Sequence, residues 1–104
     1  MGDFIQLHNH TAMGSLLDSM VRVDELVDKA KELEMPSVAI SDHASLSSFV
    51  RFYKKCKSEN IKPIFGVEMY MVNNMNIKDK DEKKNHILLL AKNKKGLKNL
   101  FKII

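Results

Sequence analysis

Along residues 4–10 apolar and polar positions alternate: Ile5 and Leu7 point one way, while Gln6, His8 and His10 point the other. A period of two predicts a strand with both imidazoles on one face. From Val23 the period changes. Val23, Leu26, Val27, Ala30 and Leu33 recur at helical spacing, and Asp24, Glu25 and Asp28 sit early, where the helix dipole favours negative charge. An amphipathic helix is expected there, ended by Pro36. The run Ser37-Val38-Ala39-Ile40-Ser41 then predicts a short strand buried on both faces, as in parallel sheets.

Leu46, Phe49, Val50, Tyr53 and Cys56 repeat the helical offsets, with Arg51, Lys54, Lys55 and Lys57 on the outer side, so a second amphipathic helix follows. Residues 61–72 form a third strand region containing Pro63 and Gly66. Strand, helix, strand, helix, strand with right-handed crossovers is an α/β order that makes the strands parallel neighbours. Residues 73–85 are polar and charged without an apolar stripe, which predicts an exposed excursion rather than a crossover helix. The strand at 86–91 is therefore expected to return antiparallel to the third. A last helix starts near Lys94, with Leu97, Leu100, Phe101 and Ile104 on one face and no stop signal before the chain ends, so a cut there is expected.

Composition narrows the class without identifying a function. In 104 residues, 44% apolar and 29% charged content is that of a globular chain and excludes disordered, collagen-like and coiled-coil classes. The balance of 17 basic against 13 acidic residues gives +4, which is compatible with a nucleic-acid partner, although lysine-rich surfaces are more often solvated faces. The single cysteine, Cys56, excludes an internal disulfide; it sits on an apolar helical face and is expected in the core. No apolar run approaches the ~20 residues of a membrane span, and Gln6 stands where a myristoylation signal needs Ser or Thr. No membrane association and a cytoplasmic location are expected.

The chemistry gathers at strand ends. His8 and His10 project from one face and can reach a single ion. Asp42-His43 follows directly on the second strand and Glu68 lies late in the third. Parallel strands point their C-terminal ends to one rim, where ligands bind, so these groups are expected to meet there. An antiparallel fourth strand would start at that rim with His86, and Asp18 in the loop after the first strand adds a carboxylate. Asp42 could act one step out, orienting a neighbouring imidazole. A mixed imidazole and carboxylate set suits zinc, manganese or iron, and its size suffices for two or three ions. Such sites hydrolyse phosphoesters, although an H-x-H on a first strand also opens amidohydrolases.

The ordered motifs Leu7-His8-Asn9-His10-Thr11, Ser15-Leu16-Leu17-Asp18 and Pro36-Ser37-Val38-Ala39-Ile40-Ser41-Asp42-His43 resemble the PHP (polymerase and histidinol phosphatase) family. Ile61-Lys62-Pro63-Ile64-Phe65-Gly66-Val67-Glu68 and His86-Ile87-Leu88-Leu89-Leu90-Ala91-Lys92-Asn93 narrow it to the branch found at the N-terminus of bacterial replicative DNA polymerases. The resemblance covers residues 4–104 and implies the first half of a distorted (β/α)7 barrel. It implies metal ligands at His8, His10, Asp18, His43, Glu68 and His86. Two departures stand out: the spacing from His10 to Asp18 is one residue longer than usual, and a closing Asp-x-His motif is absent. The family includes metal-dependent phosphoesterases, candidate 3′–5′ proofreading exonucleases and degenerate structural domains. A catalytic role on DNA, a non-catalytic role docking other replisome subunits around a structural metal, and a stand-alone histidinol-phosphatase-like hydrolase therefore remain open. A half barrel would also leave an edge strand and an apolar face uncovered, so self-association is expected.

Overall fold

The computed structural model describes residues 4–15, 19–71 and 85–104. Asp18 and nearly all of the expected excursion at 73–85 lie outside the described residues. Among the described residues three helices and three strands follow the order α1 (Val23–Glu32), β1 (Ser37–His43), α2 (Phe49–Ser58), β2 (Lys62–Met71), β3 (Asn85–Leu90) and α3 (Lys94–Ile103). The sheet order is β1-β2-β3. β1 pairs parallel with β2 from Ser37↔Lys62 to His43↔Glu68, and β3 returns antiparallel from Gly66↔Leu90 to Met71↔Asn85. The α/β order and the antiparallel return are thus both observed.

Two sequence expectations need correction. Residues 4–10 form no strand. The segment runs beside β1, where Ser41 N donates to Asn9 O at 2.8 Å. Side chains then take the positions a ladder would need: Asn9 N donates to Ser41 Oγ, and Asn9 Nδ2 donates to Ala39 O and Gln6 O, each at 3.0 Å. Pro36 does not end the first helix either. The helix stops at Glu32 because Glu34 adopts φ 58°, with Glu34 N donating to Lys31 O and Met35 N to Ala30 O. This pair of bonds satisfies the last carbonyls by a left-handed cap. The same solution ends α2: Asn60 has φ 58°, and Ile61 N donates to Cys56 O at 2.9 Å.

Strand alternation gives the sheet two different faces. Val38, Ile40 and Val67 face α1 and α2 and pack with Val23, Val27, Ala30, Phe49, Phe52 and Cys56 into the core. Burial pushes the Cys56 thiol up to about 11, so this cysteine is a packing residue as expected. Leu100 of α3 joins the same core, and α3 is started by Asn93, whose side chain accepts from Gly96 N at 3.0 Å. Between α2 and α3 an apolar groove of about 590 Å³ remains, where Val50, Tyr53 and Phe101 stay exposed.

The opposite face carries Ser41, Gly66 and, at its rim, His43 and Glu68, following the register between β1 and β2. Gly66 is needed for this close approach of three strands. A Cβ there would lie 2.6 Å from Leu90 Cδ2, 2.8 Å from Leu89 O and 3.3 Å from Ile40 O. Two of those atoms are backbone and cannot swing away. Gly66→Ala is expected to cost about 1–3 kcal/mol, as overpacking does, and a urea melt showing no loss would contradict the tight register.

Candidate metal centre

The functional groups come from three elements and one extended segment. β1 ends on His43, whose register partner in β2 is Glu68. Because β3 runs antiparallel, its first residues return to this rim, and His86 pairs with Tyr70 two positions beyond Glu68. Glu68, Tyr70, Leu88 and His86 therefore share one face. Residues 4–10 lack strand hydrogen bonding, yet their anchoring through Asn9 leaves His8 and His10 on the same side.

Glu68 is the centre of the cluster. The residue is only 5% exposed. Glu68 Oε2 lies 3.0 Å from His8 Nε2, 2.6 Å from His10 Nε2 and 3.4 Å from His43 Nδ1, and Oε1 lies 3.0 Å from His86 Nδ1. The rings follow one another in the order His8, His10, His43, His86, edge to face in the outer pairs and tilted in the middle one, with successive centroids 5.1, 4.1 and 5.8 Å apart. Burial raises the Glu68 pKa, but hydrogen bonds from His8 and His10 and the charges of His43 and His8 outweigh it, leaving the carboxyl below its ordinary value. The group is thus held ionised in a water-poor position.

This donor set fits a divalent cation. Two ligands about 2.1 Å from a tetrahedral ion stand roughly 3.4 Å apart, and the imidazole nitrogens lie 2.6 to 3.4 Å from the carboxylate oxygens. His8, His10 and Glu68 alone bring three ligand atoms within 4.8 Å of one another. The His8 and His86 side chains are each 54% exposed while Glu68 is covered, so the cluster has a closed floor and an open mouth. Five of the six ligands expected from sequence, His8, His10, His43, Glu68 and His86, meet at one rim; the sixth, Asp18, lies outside the described residues.

Asp42 stands apart from the imidazoles. It is fully buried on the helix-facing side of β1, and its oxygens accept from Thr11 N at 2.5 Å, Thr11 Oγ1 at 2.9 Å, Ser15 Oγ at 3.0 Å and Ser48 Oγ at 2.8 Å. None of these partners is an imidazole. Thr11, Ser15 and Ser48 were not singled out by the sequence reading. Their signal was an ionisable residue inside a run of buried strand positions, which requires donors from elsewhere.

A family model described as the PHP domain matches residues 6–104. The chain belongs to the PHP family. Its PHP sequence is similar to DNA polymerase III subunit alpha from Aquifex aeolicus, 44% identical over 97% of this chain and 9% of that protein. It is also similar to the subunit from Borreliella burgdorferi, 39% identical over 96% of this chain and 9% of that protein. The PHP chain matches the N-terminal region of these relatives and spans only 9% of their length. Among solved structures, a candidate metal-dependent phosphoesterase from Bifidobacterium adolescentis superposes with a TM-score of 0.67 at 21% identity, covering 94% of this chain and 32% of that one. An amidohydrolase from Chromobacterium violaceum gives 0.66 at 19% identity, covering 95% and 32%. These likenesses show the fold: the PHP chain is part of a larger barrel.

Proposed function

We propose that this PHP chain contributes most of a divalent-metal site for phosphoester hydrolysis, acting on the 3′ end of DNA within a replicative polymerase. The observation that carries the reading is the convergence of four imidazoles on the buried, ionised Glu68. His8, His10, His43, Glu68 and His86 would hold the metal, with Asp18 as a sixth ligand, and zinc, manganese or iron all suit these donors. A cation so bound supplies Lewis-acid stabilisation of charge building on phosphate oxygens. Glu68 would neutralise part of the ion's charge, and its carboxylate is the point at which the four imidazoles meet. The half-exposed His8 and His86 flank the opening through which a phosphodiester reaches the cluster.

The likeness to DNA polymerase III alpha subunits supports DNA as substrate, other replisome subunits as partners and the cytoplasm as location. Among the described residues no helix is long and apolar enough to cross a membrane. In the intact protein, elemental analysis is expected to find bound divalent metal, and a 3′-mismatched primer is expected to be shortened in a reaction that EDTA stops and Mn²⁺ or Zn²⁺ restores. His8→Ala with His10→Ala should remove both metal and shortening. Loss of metal and of melting temperature with shortening unchanged would instead make the metal structural, and absence of metal from the intact protein would overturn the site itself.

A further inference from the structure

Asp42 is a fully buried carboxylate that the metal cluster does not use directly. It stands one position before His43 on β1, so alternation turns it away from the imidazoles and towards the helices. Four donors surround it, and three come from the loop at residues 11–15 that follows His10. Thr11 N, the peptide group that joins Thr11 to His10, donates to Oδ1. Ser15 Oγ donates to the same oxygen and accepts from His43 N at 3.0 Å. One carboxylate therefore ties the backbone on the far side of His10 to the backbone of His43. Those two rings stand 4.1 Å apart at the centre of the cluster. Ser48 Oγ, the fourth donor, joins the start of α2 to the same hub.

Gly14 shows how closely the loop is wrapped. A Cβ at this position would overlap the Asp42 side chain, lying 2.6 Å from Cγ and 2.7 Å from Cβ. The loop can close over the carboxylate only with hydrogen at that position. Fold stability alone does not demand such a group, because buried ionic groups are often replaced by apolar ones without loss.

We propose that Asp42 is a positioning residue for the metal centre, acting through the backbone of the 11–15 loop to set the spacing between His10 and His43. This rests on the reading that the imidazole cluster holds a divalent cation. Asparagine keeps the shape but brings an amide donor. With its oxygen towards Thr11 N, the amide would meet Thr11 Oγ1 and Ser48 Oγ, hydroxyls that can turn and accept. Alanine leaves all four donors without an acceptor.

The test uses the intact protein, with Zn²⁺ affinity measured by calorimetry, the visible absorption of bound Co²⁺, and melting temperature of the metal-free form. Asp42→Asn is expected to fold and bind Zn²⁺ about 10-fold more weakly, and Asp42→Ala or Ser15→Ala up to about 100-fold more weakly, the range seen when outer-shell partners are removed. The Co²⁺ spectrum should change shape in each. Val27→Ala, in the α1 core, should lower the melting temperature while leaving the Co²⁺ spectrum and the Zn²⁺ affinity unchanged. Wild-type affinity and spectrum in both Asp42→Asn and Ser15→Ala would overturn this inference alone. An equal loss of affinity in Val27→Ala would overturn it as well, reducing Asp42 to a general stabiliser. A wild-type protein that binds no ion would overturn the metal reading, and this inference with it.

Discussion

Glu68→Gln is expected to lower divalent-metal affinity of the intact protein by at least about 100-fold, or about 2.7 kcal/mol, without unfolding it. Glu68 is the one carboxylate that the described residues bring into contact with the imidazoles, and all four approach it within 3.4 Å. Glutamine has nearly the same shape and can still accept through its oxygen, but it carries no charge to offset the ion. Its amide nitrogen would also face at least one imidazole. Removal of a direct ligand should match or exceed the 10–100-fold cost of losing an outer-shell partner. Calorimetric titration with Zn²⁺ and Mn²⁺ checks it; a change below tenfold would mean that the imidazoles alone hold the ion.

The same residue gives the metal-free protein a pH dependence. Its carboxyl is held below the ordinary glutamate value of about 4.3, since the imidazole hydrogen bonds outweigh the burial. In acid the unfolded chain therefore takes up a proton at this group before the folded chain does. The stability so contributed is present above the unfolded value and is lost as pH falls through the lower folded one. Urea melts of the wild type should show this loss on acidification, and Glu68→Gln should lack that part of it.

Phe52→Ala is expected to destabilise the protein by about 3–5 kcal/mol, the cost of emptying a large buried aromatic site. Phe52 is fully buried on α2 and meets Phe65 of β2 edge to face, with ring centroids 5.7 Å apart. Removing the ring takes away one of the contacts, beside that of Phe49, that seat α2 on the strand carrying Glu68. Against a total of roughly 5–15 kcal/mol for a domain, the loss would leave a substantial unfolded fraction near physiological temperature. Val50, on the same helix, is 67% exposed, and Val50→Ala should change stability by no more than about 0.5 kcal/mol. Urea midpoints with unchanged slopes would report both, and equal effects would show that α2 does not bury the face assigned to it.

The helices were legible because their signal is local. Val23, Val27 and Ala30, and then Phe49 and Cys56, fall at the expected helical period and are buried, whereas Val50 and Tyr53 of the expected second stripe are exposed and Phe52, outside it, fills the core instead. The continuous apolar run before Asp42 marked a strand with both faces covered, and β1 extends through His43. The meeting of His8, His10, His43, Glu68 and His86 was also readable, since parallel strands share a C-terminal rim and an antiparallel return brings its first residue back to it. By contrast, alternation at residues 4–10 suggested a strand that did not form. Period two describes which side a residue faces, but a strand also needs regular partners, and the Asn9 and Ser41 side chains take those bonds.

By itself, then, the sequence determined the helices, the three paired strands and the α/β order, because periodicity and strand direction depend on residues near one another in the chain. The tertiary structure decided the centre and its support. Glu68 takes hydrogen bonds from imidazoles 58 and 60 residues away, and Asp42 takes its donors from Thr11 and Ser15, 31 and 27 residues away, and from Ser48 across a turn. No local pattern encodes which hydroxyl reaches which carboxylate. A buried charge must be satisfied by whatever the folded chain brings to it, and that is settled only when the loop at residues 11–15 closes over β1.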